Sequence, residues 1–195
     1  MRVTVLVSGG GSNLQALLDA QDAGRLGTAT ITAVIASRAG VYALERAEKH
    51  GVPTAVVSRG DYENADAWAA ALTDAIERTA PDLVVLAGYL SILPAQIVTR
   101  FTIINIHPAL IPAFCGAGMY GLRPHVAALA RGVKVTGATV HYVNEIPDGG
   151  EILAQKAVDV HPDDTPETLQ RRVMEEAEWV LLPSAVAQLS MNNVQ

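Results

Sequence analysis

An amide and an imidazole stand two residues apart at the end of an apolar run of the chain. The run 101–106 is rich in β-branched residues and predicts a buried strand, which ends at Pro108 because proline cannot donate to a central ladder. Strand alternation places the side chains of Asn105 and His107 on the same face. Open α/β sheets bind ligands at the carboxyl ends of their strands, so this pair is a candidate site. A core histidine beside a turn asparagine is the plainer alternative.

A carboxylate lies further along the chain, in the loop 144–150 between two more predicted strands at 134–143 and 152–160. The intervening chain is long enough to bring Asp148 to His107, and we expect the two residues at the ends of adjacent strands. An imidazole oriented by a carboxylate can act as a general acid or base, and a neighbouring amide can donate to a developing oxyanion. The carboxylate should raise the pKa of the imidazole above about 6.5, while burial opposes that shift.

The first predicted strand, 3–7, runs into a glycine-rich turn at 8–11. Glycines let a backbone approach a ligand, and the free N–H groups at the start of the next helix favour an anion. We predict that helix over 14–25, with Ser12 or Asn13 as its cap. A plain strand-to-helix turn is one alternative, and a dinucleotide-binding fingerprint is another. The fingerprint match is weak because the third glycine, which permits close helix packing, is missing.

Strands and helices alternate along the chain at the rhythm of a doubly wound sheet. We therefore predict an α/β fold with a mostly parallel, twisted sheet and right-handed crossovers. The two strands after residue 134 should join it in antiparallel sense because the loop between them is short. A long C-terminal helix should run from Pro166 to about Gln188, capped by Asp164 or Thr165 and interrupted at Pro183. Without a repeat or linker, residues 1–195 form one predicted domain.

Composition limits the classes of function. Half of the 195 residues are hydrophobic and 17% are charged, which is typical of a globular protein with a substantial core. A net charge of −6 without basic clusters argues against nucleic-acid and anionic-membrane partners. We find no signal peptide and no apolar run of about 20 residues, and therefore expect a soluble cytoplasmic protein. A single cysteine and histidines without ligand spacing predict no disulfide and no metal.

Taken together, Asn-Ile-His-Pro at 105–108, Asp-Gly-Gly at 148–150, Ser-Gly-Gly-Gly-Ser-Asn at 8–13 and the segment 86–93 resemble the folate-dependent formyltransferases. The short glycine-rich start resembles their phosphoribosylglycinamide branch, and the resemblance extends from Val3 to about Leu189. It implies a Rossmann-like fold. It also implies formyl transfer from 10-formyltetrahydrofolate to the amine of glycinamide ribonucleotide, a step of de novo purine (IMP) biosynthesis. A homodimer is possible.

The resemblance also implies roles for individual residues. Asn105, His107 and Asp148 would be catalytic, with the first two stabilising the oxyanion. Substrate-binding residues would be Gly11, Ser12, Asn13 and Glu178. Folate-binding residues would be Leu90, Ser91, Ile92, Leu93, Asn105, Val140, His141, Val143 and Asn144. Many relatives carry arginine where this chain has Ser91, and near Ala65. From the residues alone, we assign His141 and His161 to structure and Glu178 equally well to a solvated acidic face.

Other functions remain as alternatives. Formyltetrahydrofolate hydrolase and methionyl-tRNA formyltransferase share the Asn-x-His and Asp pattern, but they usually carry an additional regulatory or RNA-binding domain, which we do not expect here. A non-catalytic nucleotide-binding module of the same fold belongs to another class, and the intact Asn105, His107 and Asp148 argue against it.

The segment 114–121 departs from the family pattern because it is longer and rich in glycine. Such a segment is typical of a mobile loop or of backbone wrapped around a ligand. Cys115 within it is either a reactive thiol or a packing residue, and packing is favoured. His125 follows at the start of a predicted helix. Its position lies near the active site in relatives, although a structural role is favoured.

Overall fold

The computed structural model describes residues 1–192 as one seven-stranded sheet with helices on both faces. The last three residues of the predicted domain, 193–195, lie outside the described part. The strands are β1 (Arg2–Val7), β2 (Thr30–Ala36), β3 (Thr54–Val56), β4 (Leu83–Leu86), β5 (Ile103–His107), β6 (Val135–Tyr142) and β7 (Ile152–Asp159). The helices are α1 (Ser12–Asp22), α2 (Tyr42–Lys49), α3 (Ala65–Arg78), α4 (Ala95–Val98), α5 (Arg123–Arg131), α6 (Pro166–Val173) and α7 (Trp179–Asn192).

The strand order is β3-β2-β1-β4-β5-β6-β7. The first five strands pair in parallel, whereas β6 is antiparallel to β5 and β7 is antiparallel to β6. The prediction of a doubly wound, mostly parallel sheet with antiparallel C-terminal strands is therefore confirmed. The order reverses beside β1, which has β2 on one side and β4 on the other, and such a reversal opens a crevice at the carboxyl ends of the strands.

Each face of the sheet carries its own hydrophobic cluster. Val3, Val5 and Val7 of β1 pack into the cluster that also holds residues of α1, α2, α5, α6 and α7. Leu6 points the other way, into the cluster formed with α3 and α4. A parallel sheet covered on both faces favours apolar residues along the whole strand, which explains why β1 is apolar from Val3 to Val7 except at Thr4, whose buried hydroxyl bonds to that of Thr79.

Two predicted helix starts can be compared with the structure. The predicted capping of α1 by Ser12 or Asn13 is wrong, because the helix begins at Ser12 and Gly11 is its cap at φ 73°. A Cβ on Gly11 would lie 2.6 Å from the Cβ of Ala43, so packing against α2 also requires glycine there. The capping of α6 by Thr165 is confirmed, since its side chain accepts from the N–H of Thr168.

The C-terminal helix is interrupted earlier than predicted. Pro183 lies inside α7, so the predicted break at that residue is wrong. The chain instead widens into a π-helical turn over Met174–Glu178, between α6 and α7. Turns of this kind are frequent at functional sites. None of the helices within residues 1–192 is long and apolar enough to cross a bilayer.

Candidate active site

A cleft of about 320 Å³ lies at the carboxyl ends of β4 and β5. Its walls come from β5 itself, from the loops that follow β4, β5 and β6, and from the π-helical turn. Asn105, His107 and Asp148 all line it. Two segments distant in sequence, β5 and the loop after β6, thus bring the three candidate catalytic residues into one cavity.

His107 is almost fully buried and lies between two acceptors. Its Nε2 is 2.9 Å from the carbonyl oxygen of Phe114, and its Nδ1 is 3.4 Å from Oδ2 of Asp148. Because a carbonyl can only accept, Nε2 carries a proton and donates it to Phe114. The nitrogen that faces the carboxylate is then Nδ1, which in a neutral ring has a lone pair.

The path by which Asp148 reaches His107 differs from the prediction. In the antiparallel pair, Tyr142 at the end of β6 lies opposite Ile104 near the start of β5, so the two residues are not at neighbouring strand ends. The loop after β6 instead folds back along the cleft. Asp148 has a positive φ of 55°, and a Cβ on Gly150 would lie 1.7 Å from the carbonyl oxygen of Tyr142. The return of the loop therefore depends on glycine at position 150.

The pKa of His107 shifts in the direction opposite to the one predicted from the sequence. Burial lowers the pKa of His107 and outweighs the upward effect of the charge on Asp148, so the predicted net increase is wrong. Burial pushes the pKa of Asp148 up, but the nearby imidazole of His141, 3.5 Å away, and the hydrogen bond from the N–H of Gly116 lower it overall. At neutral pH the pair is thus a neutral imidazole beside a carboxylate, with room for one added proton.

His141 is the residue whose place in the site we did not expect from the residues alone. It is paired in register with Asn105, and its Nε2 lies 3.2 Å from Nδ2 of Asn105 and 3.5 Å from Oδ1 of Asp148. Directly opposed residues of an antiparallel pair share a face, so a fixed β5–β6 register would have indicated this contact. The sequence does not fix that register.

A second buried pair lines the cleft where α1 faces the π-helical turn. The Nδ2 of Asn13 donates to Oε2 of Glu178 at 2.6 Å, and both side chains are buried. Burial raises the pKa of Glu178, and the hydrogen bond from Asn13 partly opposes it. The solvated acidic face that we weighed for Glu178 is therefore wrong. Gly11 and Ser12 precede Asn13 but do not line the cleft.

The predicted folate residues mostly surround the same cavity. Leu90 and Ile92 are 55% and 71% exposed and together form an open apolar wall of the cleft. The lining also includes Ser91, Leu93, Asn105, His141, Val143 and Asn144. Val140 is different, because it is fully buried in the core on the other face of β6. Strand alternation turns its side chain away from the cleft, so a contact with the folate would have to come from its backbone.

The glycine-rich segment 114–121 covers one side of the cleft from Gly116 onwards. Cys115 does not line it, and its Sγ donates to the carbonyl oxygen of Pro112 at 3.3 Å. Burial and the charge of Asp148 raise the pKa of this thiol, which makes it a poor nucleophile. Within residues 1–192, no cluster of histidine, cysteine and carboxylate side chains has the arrangement of a metal site.

Comparison with known proteins places this geometry in a family. Residues 1–186 match the formyl transferase family. The phosphoribosylglycinamide formyltransferase of Haemophilus influenzae is 37% identical over 187 residues, which cover 95% of this chain and 85% of that protein. The bovine trifunctional purine biosynthetic protein adenosine-3 is 43% identical over 188 residues, and this chain spans 18% of its length.

Solved structures agree. Glycinamide ribonucleotide transformylase 1 from Symbiobacterium toebii superposes with a TM-score of 0.91 at 40% identity, covering 98% of this chain and 88% of that one. The match therefore extends over the sheet, the cleft and the C-terminal helices alike. The chain belongs to the formyl transferase family.

Proposed function

We propose that this protein transfers the formyl group of 10-formyltetrahydrofolate to the amine of glycinamide ribonucleotide, in purine biosynthesis. The observation that carries the proposal is that one cleft is lined by Asn105, His107 and Asp148 together with an exposed apolar wall and the Asn13–Glu178 pair. The names of the relatives at 37% to 43% identity support the same reaction.

The chemical step is a direct attack of the substrate amine on the formyl carbon. Neither a serine nor a cysteine side chain is bonded to His107, and the thiol of Cys115 is turned to Pro112, so an acyl-enzyme has no nucleophile among the described residues. The carbonyl oxygen becomes an oxyanion as the amine adds. Asn105, at the carboxyl end of β5, supplies an N–H to that oxygen.

The attacking amine must lose a proton and the departing folate nitrogen must gain one. The neutral imidazole of His107 beside the ionised Asp148 provides the place to hold that proton, at Nδ1 between the two groups. A C–N bond forms to the substrate, the C–N bond to folate breaks, and the proton passes from the first nitrogen to the second. No electrons are exchanged with any other group.

His107 acts as a second oxyanion donor only if its Nε2–H changes partner. In this structure that N–H is bonded to the carbonyl oxygen of Phe114. The segment 114–121 would have to release it when the folate binds. Phe114 has a positive φ of 50°, a strained conformation for a residue with a side chain, which favours such a release.

Different residues of the cleft would bind the two substrates. The carboxylate of Glu178 would accept from the ribose hydroxyls, and the N–H groups at the start of α1, from Gly11 to Asn13, would bind the phosphate. The flat heterocycle of the folate would lie against the wall of Leu90 and Ile92. Ser91 offers only a short side chain there, so contacts to the folate would be largely apolar or made by the backbone.

The test is a steady-state assay with 10-formyltetrahydrofolate and glycinamide ribonucleotide, run beside reactions with water alone and with glycinamide lacking the ribose phosphate. We expect formylated ribonucleotide and only background release of formate. Formate release that is independent of the ribonucleotide would favour a hydrolase. Absence of either product from folded protein would favour a non-catalytic binding module.

A further inference from the structure

The Nε2 of His141 has two neighbours with opposite requirements. Nδ2 of Asn105 lies 3.2 Å away, and Oδ1 of Asp148 lies 3.5 Å away. An amide nitrogen can only donate and needs a lone pair on the ring, whereas a carboxylate can only accept and needs a proton there. A single ring nitrogen can meet one requirement at a time.

The other ring nitrogen decides which requirement the neutral residue meets. The Nδ1 of His141 lies 2.7 Å from the carbonyl oxygen of Tyr142, which can only accept. Nδ1 therefore carries the proton of the neutral ring, and Nε2 carries the lone pair. His141 is 2% exposed, so its ring is largely shielded from bulk solvent. The neutral ring thus accepts from Asn105.

We propose that His141 is the positioning residue for Asn105 and that it performs this role only as the neutral Nδ1–H imidazole. The lone pair on Nε2 holds the amide nitrogen of Asn105, whose second N–H then remains free for the formyl oxygen. With a proton on Nε2, the ring would donate to Asp148 and could no longer accept from Asn105. The amide of Asn105 would then rotate so that its oxygen faces His141. The inference rests on the proposed function, because it assigns the oxyanion to Asn105.

Two titratable groups face His141 from the elements packed against it. Oδ1 of Asp148, in the loop after β6, lies 3.5 Å from the Nε2 of His141, and His107 lies on β5, the strand paired with β6. When the His107–Asp148 pair takes up the proton of the attacking amine, its net charge changes beside His141. The arrangement therefore links the orientation of the oxyanion donor to the proton held next to it.

A double-mutant cycle tests whether His141 acts through Asn105. His141→Leu should lower kcat about 100-fold with both KM values unchanged, which is the lower end of the usual loss for one oxyanion donor. In an Asn105→Ala background the same change should cost nothing further, because the residue to be positioned is gone. Losses that multiply would show an independent role and overturn the proposal.

Matched conservative variants separate the two sides of the ring. His141→Gln keeps an acceptor near the position of Nε2 and should recover most of kcat. His141→Asn keeps a donor near the position of Nδ1, toward Tyr142, and should not. Recovery by the asparagine variant alone would mean that His141 only anchors the strand. Thermal melts of all variants identify any that fail to fold. If the leucine variant fails to fold, the glutamine variant still allows the comparison.

Nitrogen NMR of the wild-type protein labelled on its histidines provides a readout that needs no activity. At pH 8 we expect His141 to show the tautomer with a proton on Nδ1 and none on Nε2. The opposite tautomer would overturn the proposal even in an active enzyme. Conversely, if the protein failed to transfer formyl groups, the proposed function would fail while the tautomer measurement would still report on the His141–Asn105 contact.

Discussion

The Nδ1 of His107 lies 3.4 Å from a carboxylate oxygen of Asp148, although the two residues leave the sheet at opposite ends of paired strands. His107 is the last residue of β5, and the loop that carries Asp148 begins beside the start of β5. The contact exists because that loop turns back on itself over Gly150. The chemistry of the cleft thus depends on the path of the loop as well as on the sheet.

Gly150→Ala should therefore reduce activity although it changes no group that contacts substrate. Its Cβ would meet the carbonyl oxygen of Tyr142 at 1.7 Å, which pushes the loop and Asp148 away from His107. A displacement of about 1 Å at a catalytic group can cost about 10²-fold in kcat. Gly60→Ala is the control, since only one atom lies within 4 Å of its added Cβ. Equal kcat for both variants would contradict the role of position 150.

Acid sensitivity of the fold should come partly from His125. This residue is fully buried, and neither of its ring nitrogens has a hydrogen-bond partner among residues 1–192. Burial lowers its pKa to about 4, and His107 adds to that effect. The unfolded chain binds the same proton at about 6.5, so between these pH values the unfolded state holds more protons and stability falls as the pH is lowered.

Urea unfolding at pH 7 and pH 5 measures this contribution. A depressed pKa of this size should cost the wild type about 2 kcal/mol of unfolding free energy over that interval. His125→Leu should show a loss smaller by about that amount. If the two proteins lost stability equally on acidification, His125 would not be the buried neutral group described here.

The pair formed by Asn13 and Glu178 should govern affinity for the ribonucleotide. Asn13→Asp removes the donor to Glu178 and places a second carboxylate next to a buried one, close to the proposed phosphate site. A lost hydrogen bond to a charged group is worth about 1.5–3 kcal/mol, which predicts a 10- to 100-fold higher KM for glycinamide ribonucleotide. The KM for folate should not change. Weaker folate binding with unaltered ribonucleotide KM would refute the assignment.

The segment 114–121 should become ordered over the bound folate. Hydrogen exchange with and without a non-reactive folate analogue should show slower exchange of its amides in the complex. The N–H of Gly116 is a useful internal reference, because it is already bonded to Asp148 without ligand. Cys115→Ser should leave the result unchanged. The same exchange rates in both states would mean that this segment is not a lid.

Much of this site follows from local pattern. Proline at position 108 and the apolar run before it fix the end of β5, and alternation then places Asn105 and His107 together. The identity of the third residue, Asp148, also follows from the sequence by resemblance. Its route does not, because an antiparallel pairing reverses which strand ends meet and only the folded sheet shows where the loop must turn.

Other features depend on tertiary contacts that no local pattern contains. The partner of Asn13 is 165 residues away, and it faces the cleft from a π-helical turn that interrupts an otherwise regular helical pattern. The pKa of His107 was predicted in the wrong direction because burial, which the sequence does not quantify, exceeds the charge of Asp148. The contact between His141 and Asn105 likewise required the register of β5 and β6.

We propose that Asp148 works with His107 in the chemical step and does not merely anchor a loop. The direct measurement is the single-turnover rate of formyl transfer by Asp148→Asn at saturating concentrations of both substrates, across the pH range. We predict a rate lower by about 10²–10⁴, the usual worth of positioned acid–base catalysis, with both substrate affinities nearly intact. A rate near that of the wild type at every pH would contradict the account.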